Sequence, residues 1–122
     1  QFINAIKKTV PDYNVDLLNI TIRNVKKDDD TFLRYANEEV FGFVMLFNQA
    51  KNNKSEIEMR SLTQRLIDIA ITFNGTYYLP YRLHATKEQM YKVYPMAKQF
   101  FLLKKKYDPL EIFQNKFYEA YK

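Results

Sequence analysis

Phe41, Gly42, Phe43 and Val44, in the stretch VFGFVMLF, have the residue types and spacing of a strand that stacks its aromatic rings on RNA bases. A basic chain, with formal net charge +5, gives that reading some weight. The surrounding residues argue against it. The template calls for a cation and a glycine before Phe41, and the chain has Glu39 and Val40. Glu38 and Glu39 repel phosphate where attraction is needed. Packing under helices is the expected role of Phe41, Phe43 and Phe47. RNA binding by a non-enzymatic, ferredoxin-like module stays as the alternative function.

The other chemistry-bearing residue types are few. His84 is the single histidine, and no residue near it in sequence is placed to orient it, so it reads as a loop histidine. A nucleophilic triad built on it has no G-x-S-x-G elbow to join. No cysteine is present, which removes disulfides, thiolate chemistry and zinc sites of the usual ligand sets. No metal ligands are expected. Only two glycines occur, Gly42 and Gly75, so neither a phosphate loop nor a G-x-G-x-x-G turn can be built. The lysines cluster at 26–27, 51–54 and 104–106, as solvated loops and helix ends would. No apolar run of about 20 residues is present to cross a membrane.

The elements that must position these groups follow from periodicity and caps. Residues 2–10 predict a helix ended by Pro11. Residues 17–25 alternate as a strand, with Asn19, Thr21 and Arg23 on one face and Leu18, Ile20 and Ile22 on the other. A turn at 26–30, a short strand at 31–36 and a long strand at 38–49 come next. Ser55 with Glu58 predicts a capping box, opening a helix whose stripe is Met59, Leu62, Leu66, Ile69 and Phe73. Asn74-Gly75 stops it. Residues 76–83 predict an edge strand, because Pro80 has no N–H. Thr86 with Gln89 caps another helix, broken or restarted at Pro95, and Asp108-Pro109 opens a last one that Phe113 docks. The expected fold is a single α+β domain over 1–122, an antiparallel sheet with helices packed on one face.

Residues 77–121, YYLPYRLHATKEQMYKVYPMAKQFFLLKKKYDPLEIFQNKFYEAY, carry a longer signal. Gly75, Tyr77, Tyr78, Ala85, Thr86, Tyr94, Pro95, Lys104, Tyr107, Asp108, Pro109, Phe113 and Tyr118 fall in the order of a known tail. That tail resembles the C-terminal end of FAD-dependent oxidoreductases of the vanillyl-alcohol-oxidase type. The group includes aldonolactone and alditol oxidases and the oxidase of decaprenyl-phosphoryl ribose. The stretch RNVKKDDDTFL (23–33) is similar to the strand and turn of the lactone and alditol oxidases. Together the likeness runs from about Leu17 to Tyr121.

The resemblance implies a ferredoxin-like cap domain that covers flavin and substrate. FAD would be held mainly by an N-terminal domain of the same protein, which agrees with a chain that opens on Gln1 inside a helix-like segment. The implied activity is oxidation of a sugar-like alcohol or lactone by hydride transfer to flavin, and the fragment alone is expected to be inactive. On this likeness Arg23, Tyr78 and Tyr81 are the expected catalytic residues. Asn19, Thr21 and Arg82 are expected to face the cofactor. Tyr81 stands where the family usually has lysine; a phenol donates a hydrogen bond but carries no positive charge at neutral pH. Arg82 is the neighbouring cation. The implied partners are the flavin domain and a small sugar-like substrate, with no specific nucleic acid. The implied location is cytoplasmic or peripheral at a membrane, with no signal peptide in view.

Overall fold

A computed structural model describes residues 1–122. In chain order the elements are α1 (Phe2–Thr9), a 3-10 turn (Val10–Asp12), β1 (Asp16–Val25), β2 (Val40–Asn48), α2 (Asn53–Thr72), α3 (Lys87–Val93), α4 (Ala97–Tyr107) and α5 (Lys116–Tyr121). The α+β architecture is as expected, with a sheet of two antiparallel strands. No helix is long and apolar enough to cross a membrane.

Cross-strand partners share a face of the ribbon. Ile20 pairs with Met45 and Ile22 with Phe43; Thr21 pairs with Val44 and Arg23 with Gly42. Helix α1 covers the Phe43 face: the Phe2 ring meets Phe43 edge-on at 5.1 Å and Phe73 at 6.0 Å. Asn19, Thr21 and Arg23 share the opposite face and are exposed, as the alternation predicts. A register shift between Leu17 and Asn19 takes Leu18 out of the ladder and leaves it exposed; Ile22 is also exposed, so of the expected apolar face of β1 only Ile20 is partly covered. Phe41 is also a correction: at the end of the ribbon, beyond the reach of α1, it is 71% exposed and packs no core.

Helix α2 is the central element and buries two sides. Met59, Leu62 and Ile69 follow the predicted stripe, but Ile67 is buried and Phe73 is not. The second side exists because Gln64 and Asp68 receive the Gln89 amide of α3, at 2.9 and 2.7 Å. The predicted capping box is displaced. Asn52 is the N-cap, accepting from the Ser55 N–H at 2.9 Å, and Glu58 accepts from the Asn14 N–H at 3.1 Å. At the C-terminus Asn74 takes the left-handed conformation (φ 56°). The Asn74 N–H then donates to Ile71 and the Gly75 N–H to Ala70, the two bonds of a Schellman stop.

Two predicted strands do not form. Residues 31–36 fold into a loop around Asp28, whose carboxylate accepts from the N–H groups of Asp30 and Thr31, while Arg34 donates to the carbonyls of Asp28 and Asp29. Over 76–83 no backbone N–H donates within the chain, and Pro80 has none to give. Side chains take the carbonyls instead: the Tyr94 hydroxyl that of Tyr77, Arg60 that of Leu83 and Gln64 that of His84.

The capping box at Thr86 and Gln89 forms as predicted, and the chain restarts as α4 after Pro95. Met90, Val93, Tyr94, Ala97 and Phe101 pack with Tyr118 and Tyr121 as the C-terminal core. Asp108 does not open the last helix. Its carboxylate holds Lys104 at 2.6 Å and the N–H groups of Ile112 and Phe113, which closes α4. Glu111 sits at φ 51°, which no helix tolerates, and α5 starts only after the Asn115 cap. Phe113 is 79% exposed and docks nothing.

Asn52→Ala should therefore cost about 1 kcal/mol in urea unfolding, as for a lost N-cap. Ser55→Ala should stay within about 0.5 kcal/mol, the scale of an ordinary surface change. Thr86→Ala should behave like Asn52→Ala. A reversed order for Asn52 and Ser55 would put the start of α2 back at the sequence-predicted position.

Candidate functional site

The segment without strand partners, residues 79–84, forms one wall of an open cleft of about 730 Å³. Glu56 and Arg60, from the first turns of α2, face it, and Asn115, Lys116 and Phe117 close the far side. A second cavity of about 440 Å³ adjoins it. Leu33, Leu79 and Pro80 line both, and Phe32, Tyr35, Tyr78, Tyr94 and Phe100 make the second one aromatic.

Glu56 organises the cleft. Its Oε1 lies 2.7 Å from His84 Nε2; its Oε2 accepts from Arg82 Nη1 at 2.7 Å and from the Gln49 amide at 3.2 Å. Arg82 Nη1 also donates to Gln49 Oε1 at 2.6 Å. The hydrogen bond from His84 comes first, with Gln49 and the Arg82 charge behind it, in holding the Glu56 carboxyl below its ordinary 4.5.

His84 lies in a loop, as predicted, but it is only 3% exposed and well oriented. Its Nδ1 is 3.2 Å from Thr63 Oγ1, and the Thr63 hydroxyl donates to the Met59 carbonyl at 2.7 Å. Each ring nitrogen therefore already has a partner within the chain, Glu56 on one side and Thr63 on the other. The carboxylate–imidazole–hydroxyl series is a pin between α2 and the 82–84 segment, not a nucleophilic triad. Sequence reasoning missed Glu56, Thr63, Gln49 and Arg60. One signal was present: Glu56 and Thr63 are seven residues apart, two helical turns, and so share a face that a buried polar partner could span.

The sequence-predicted site residues fall in two groups. Tyr81 and Arg82 line the cleft, and Tyr78 lines the aromatic cavity beside it. The Tyr78 ring meets Tyr81 at 5.4 Å and Tyr35 at 5.0 Å, both edge-on. Arg23, Asn19 and Thr21 lie together on the exposed ribbon face. No hydrogen bond, ion pair or ring contact joins that trio to Tyr78, Tyr81 or Arg82, and no residue of the ribbon lines either cavity.

The chain's own glycines leave no cradle for a dinucleotide. A side chain at Gly42 would come within 3.2 Å of Val25 Cγ2, and one at Gly75 within 3.0 Å of the Ala70 carbonyl. Both are spent on packing the chain against itself. Comparison with protein-family models, curated proteins and solved structures finds no match to this chain.

The lowered Glu56 carboxyl fixes the sign of an acid effect. A group whose folded value is depressed favours the folded state above its ordinary value, and that contribution is lost as pH falls below it. Urea midpoints of the wild type should drop as pH is lowered through and below 4.5. Glu56→Gln should be less stable near neutrality and lose less on acidification. Parallel pH profiles for the two proteins would mean that the Glu56 contacts do not persist in solution.

Proposed function

We propose that this chain is the substrate-covering domain of an FAD-dependent oxidoreductase that oxidises a sugar-like alcohol or lactone, working in the cytoplasm or at a membrane surface. The likeness of residues 77–121 to the tails of such enzymes supports this. So does the work those residues do here. Thr86 caps α3, Tyr94 holds the Tyr77 carbonyl, and Asp108 closes α4, so the resembling residues brace the segment that carries Tyr81 and Arg82. The observation that carries the reading is that segment itself, where an exposed phenol stands beside a pre-oriented guanidinium at the mouth of an open cleft.

With no glycine cradle in the chain, FAD would be held by a separate domain of the same protein, and the flavin when bound supplies the hydride acceptor. The proton of the oxidised hydroxyl would leave to solvent, and this chain's residues would bind and orient the substrate. Tyr81, 64% exposed and with no hydrogen-bond partner, would donate to a substrate oxygen. Arg82 uses only Nη1 within the chain, which leaves Nη2 and Nε for negative charge developing on substrate or flavin. Arg23, with Asn19 and Thr21, offers a second, unpaired cation on the polar ribbon face. His84 and Glu56 would set the position of Arg82 without touching the reacting atoms.

Two measurements test this reading. The 122-residue chain should purify without yellow colour, because it has no dinucleotide cradle. In the protein together with its flavin domain, Arg82→Ala and Arg23→Ala should each lower kcat by about two to three orders of magnitude, as for a removed oxyanion donor. The urea midpoint should move little in Arg23→Ala, and should fall in Arg82→Ala because the Glu56 and Gln49 contacts go with it. Stoichiometric flavin on the isolated chain, or wild-type turnover in both variants, would refute it.

One observation favours a second reading, an RNA-stacking module: the exposure of Phe41. Against it, Phe2 covers the neighbouring Phe43, and Glu39 is held beside the strand by Asn24 and Lys26. Fluorescence anisotropy should show weak RNA association that fades steeply with salt. Tight, salt-resistant binding lost in Phe41→Ala would reverse the order of the two readings.

A further inference from the structure

The cleft is unbalanced in charge. Arg60, Arg82 and Lys116 line it against one carboxylate, Glu56, whose two oxygens are already engaged by His84, Arg82 and Gln49. The donors left over are specific atoms. Both internal bonds of Arg82 go through Nη1, so its Nη2 and Nε have no acceptor in the chain. Arg60 gives Nη1 to the Leu83 carbonyl, and its Nη2 reaches only to 3.9 Å from Glu56. Lys116 is exposed and makes neither an ion pair nor a hydrogen bond. The oxygen of the Asn115 amide is used in capping Tyr118, which leaves its NH2 group free.

These free donors come from three separate parts of the chain: α2, the 79–84 segment and the start of α5. They converge on a cleft whose one carboxylate is already engaged. A neutral polyol, which brings as many donors as acceptors, would leave the surplus cations unpaired. An oxyanion brings acceptors only, and a guanidinium presenting two N–H groups suits a carboxylate or phosphate edge.

We infer that the cleft between residues 79–84 and Lys116 is an oxyanion-binding subsite, built by Arg82, Arg60 and Lys116, for a phosphate or carboxylate group. Taken with the proposed function, on which this extension rests, the substrate is an acidic sugar derivative whose anionic group anchors in the cleft while Tyr81 stands at its mouth. Glu56 and Gln49 hold Arg82 in place before the ligand arrives, which lowers the ordering cost of binding.

The test uses the 122-residue chain with three ligands, inorganic phosphate, gluconate and neutral ribitol, each titrated at an ionic strength held constant with chloride. Thermal midpoint and amide chemical shifts are followed. Phosphate or gluconate, or both, should give a saturable rise in midpoint, with shifts concentrated at 81–84 and 115–117, and the stronger of the two identifies the anionic group. Ribitol should give neither. Lys116→Gln and Arg60→Gln, at exposed side chains, should each weaken binding by about tenfold, the effect of one lost charge-assisted hydrogen bond. The absence of saturable binding by either anion would overturn the inference, and so would anion binding unchanged in both variants. No flavin takes part, so a negative result leaves the oxidoreductase reading standing. A colourless full protein that binds phosphate would instead remove that reading and keep the subsite.

Discussion

The carboxylate of Glu56 is the point through which the cleft is assembled. It sits in the first turn of α2, where a negative charge also meets the positive end of the helix dipole. From there one oxygen reaches the buried imidazole of His84 and the other the guanidinium of Arg82. The segment carrying those two residues has no ladder to define its position, since none of its N–H groups from Thr76 to Leu83 finds an acceptor in the chain. Side chains do the work that strand pairing does elsewhere. Tyr94, Arg60 and Gln64 each take a carbonyl, and Glu56 takes the two polar side chains at the end of the segment. At about 1 kcal/mol for a typical hydrogen bond, and more where a charge is involved, the set is comparable to the ladder it replaces.

That arrangement divides the molecule by function. Helix α2 packs against both α1 and α3 and buries Met59, Leu62, Ile67 and Ile69. The cleft residues ride on an irregular segment pinned to that helix, the usual division between a scaffold and the loops that meet ligands. The β-ribbon lies apart from this apparatus. Its polar face has no internal partner, which is compatible with a surface that meets something outside the chain and explains why it contributes nothing to either cavity.

Local signals were legible and distant pairings were not. The Thr86–Gln89 box, the break at Pro95, the Asn74-Gly75 stop and both real strands could be read because each is decided within a few residues. The segment 76–83 has the Tyr and Leu content of a strand, but a strand needs a partner, and no local pattern says whether one exists. Asp108-Pro109 shows the same limit. Its local chemistry suits a helix start, yet Lys104, one turn earlier, captures the Asp108 carboxylate and turns it into a stop. The Glu56–His84 pair spans 28 residues, and only the seven-residue spacing of Glu56 and Thr63 hinted at it. Tyr81 and Arg82 were singled out by likeness to a family tail; that they line a common cleft came from the fold.

Whether an arginine already paired with a glutamate can still serve a ligand is settled by how it is paired. A bidentate fork would use both terminal nitrogens and leave the guanidinium neutralised and turned inward. Arg82 instead spends one nitrogen on two acceptors, Glu56 and Gln49, at 2.7 and 2.6 Å. Of these only Glu56 is charged, and His84 competes for that same carboxylate. The result is a guanidinium fixed in direction with two donor nitrogens unspent and its charge partly uncompensated. Arg60 and Lys116 add to that surplus across the cleft, and Tyr81 contributes a neutral donor beside it. Such a group is better suited to holding an anion or stabilising developing negative charge than a freely rotating surface arginine, because the side-chain entropy has been surrendered on folding and is not lost again when a ligand binds.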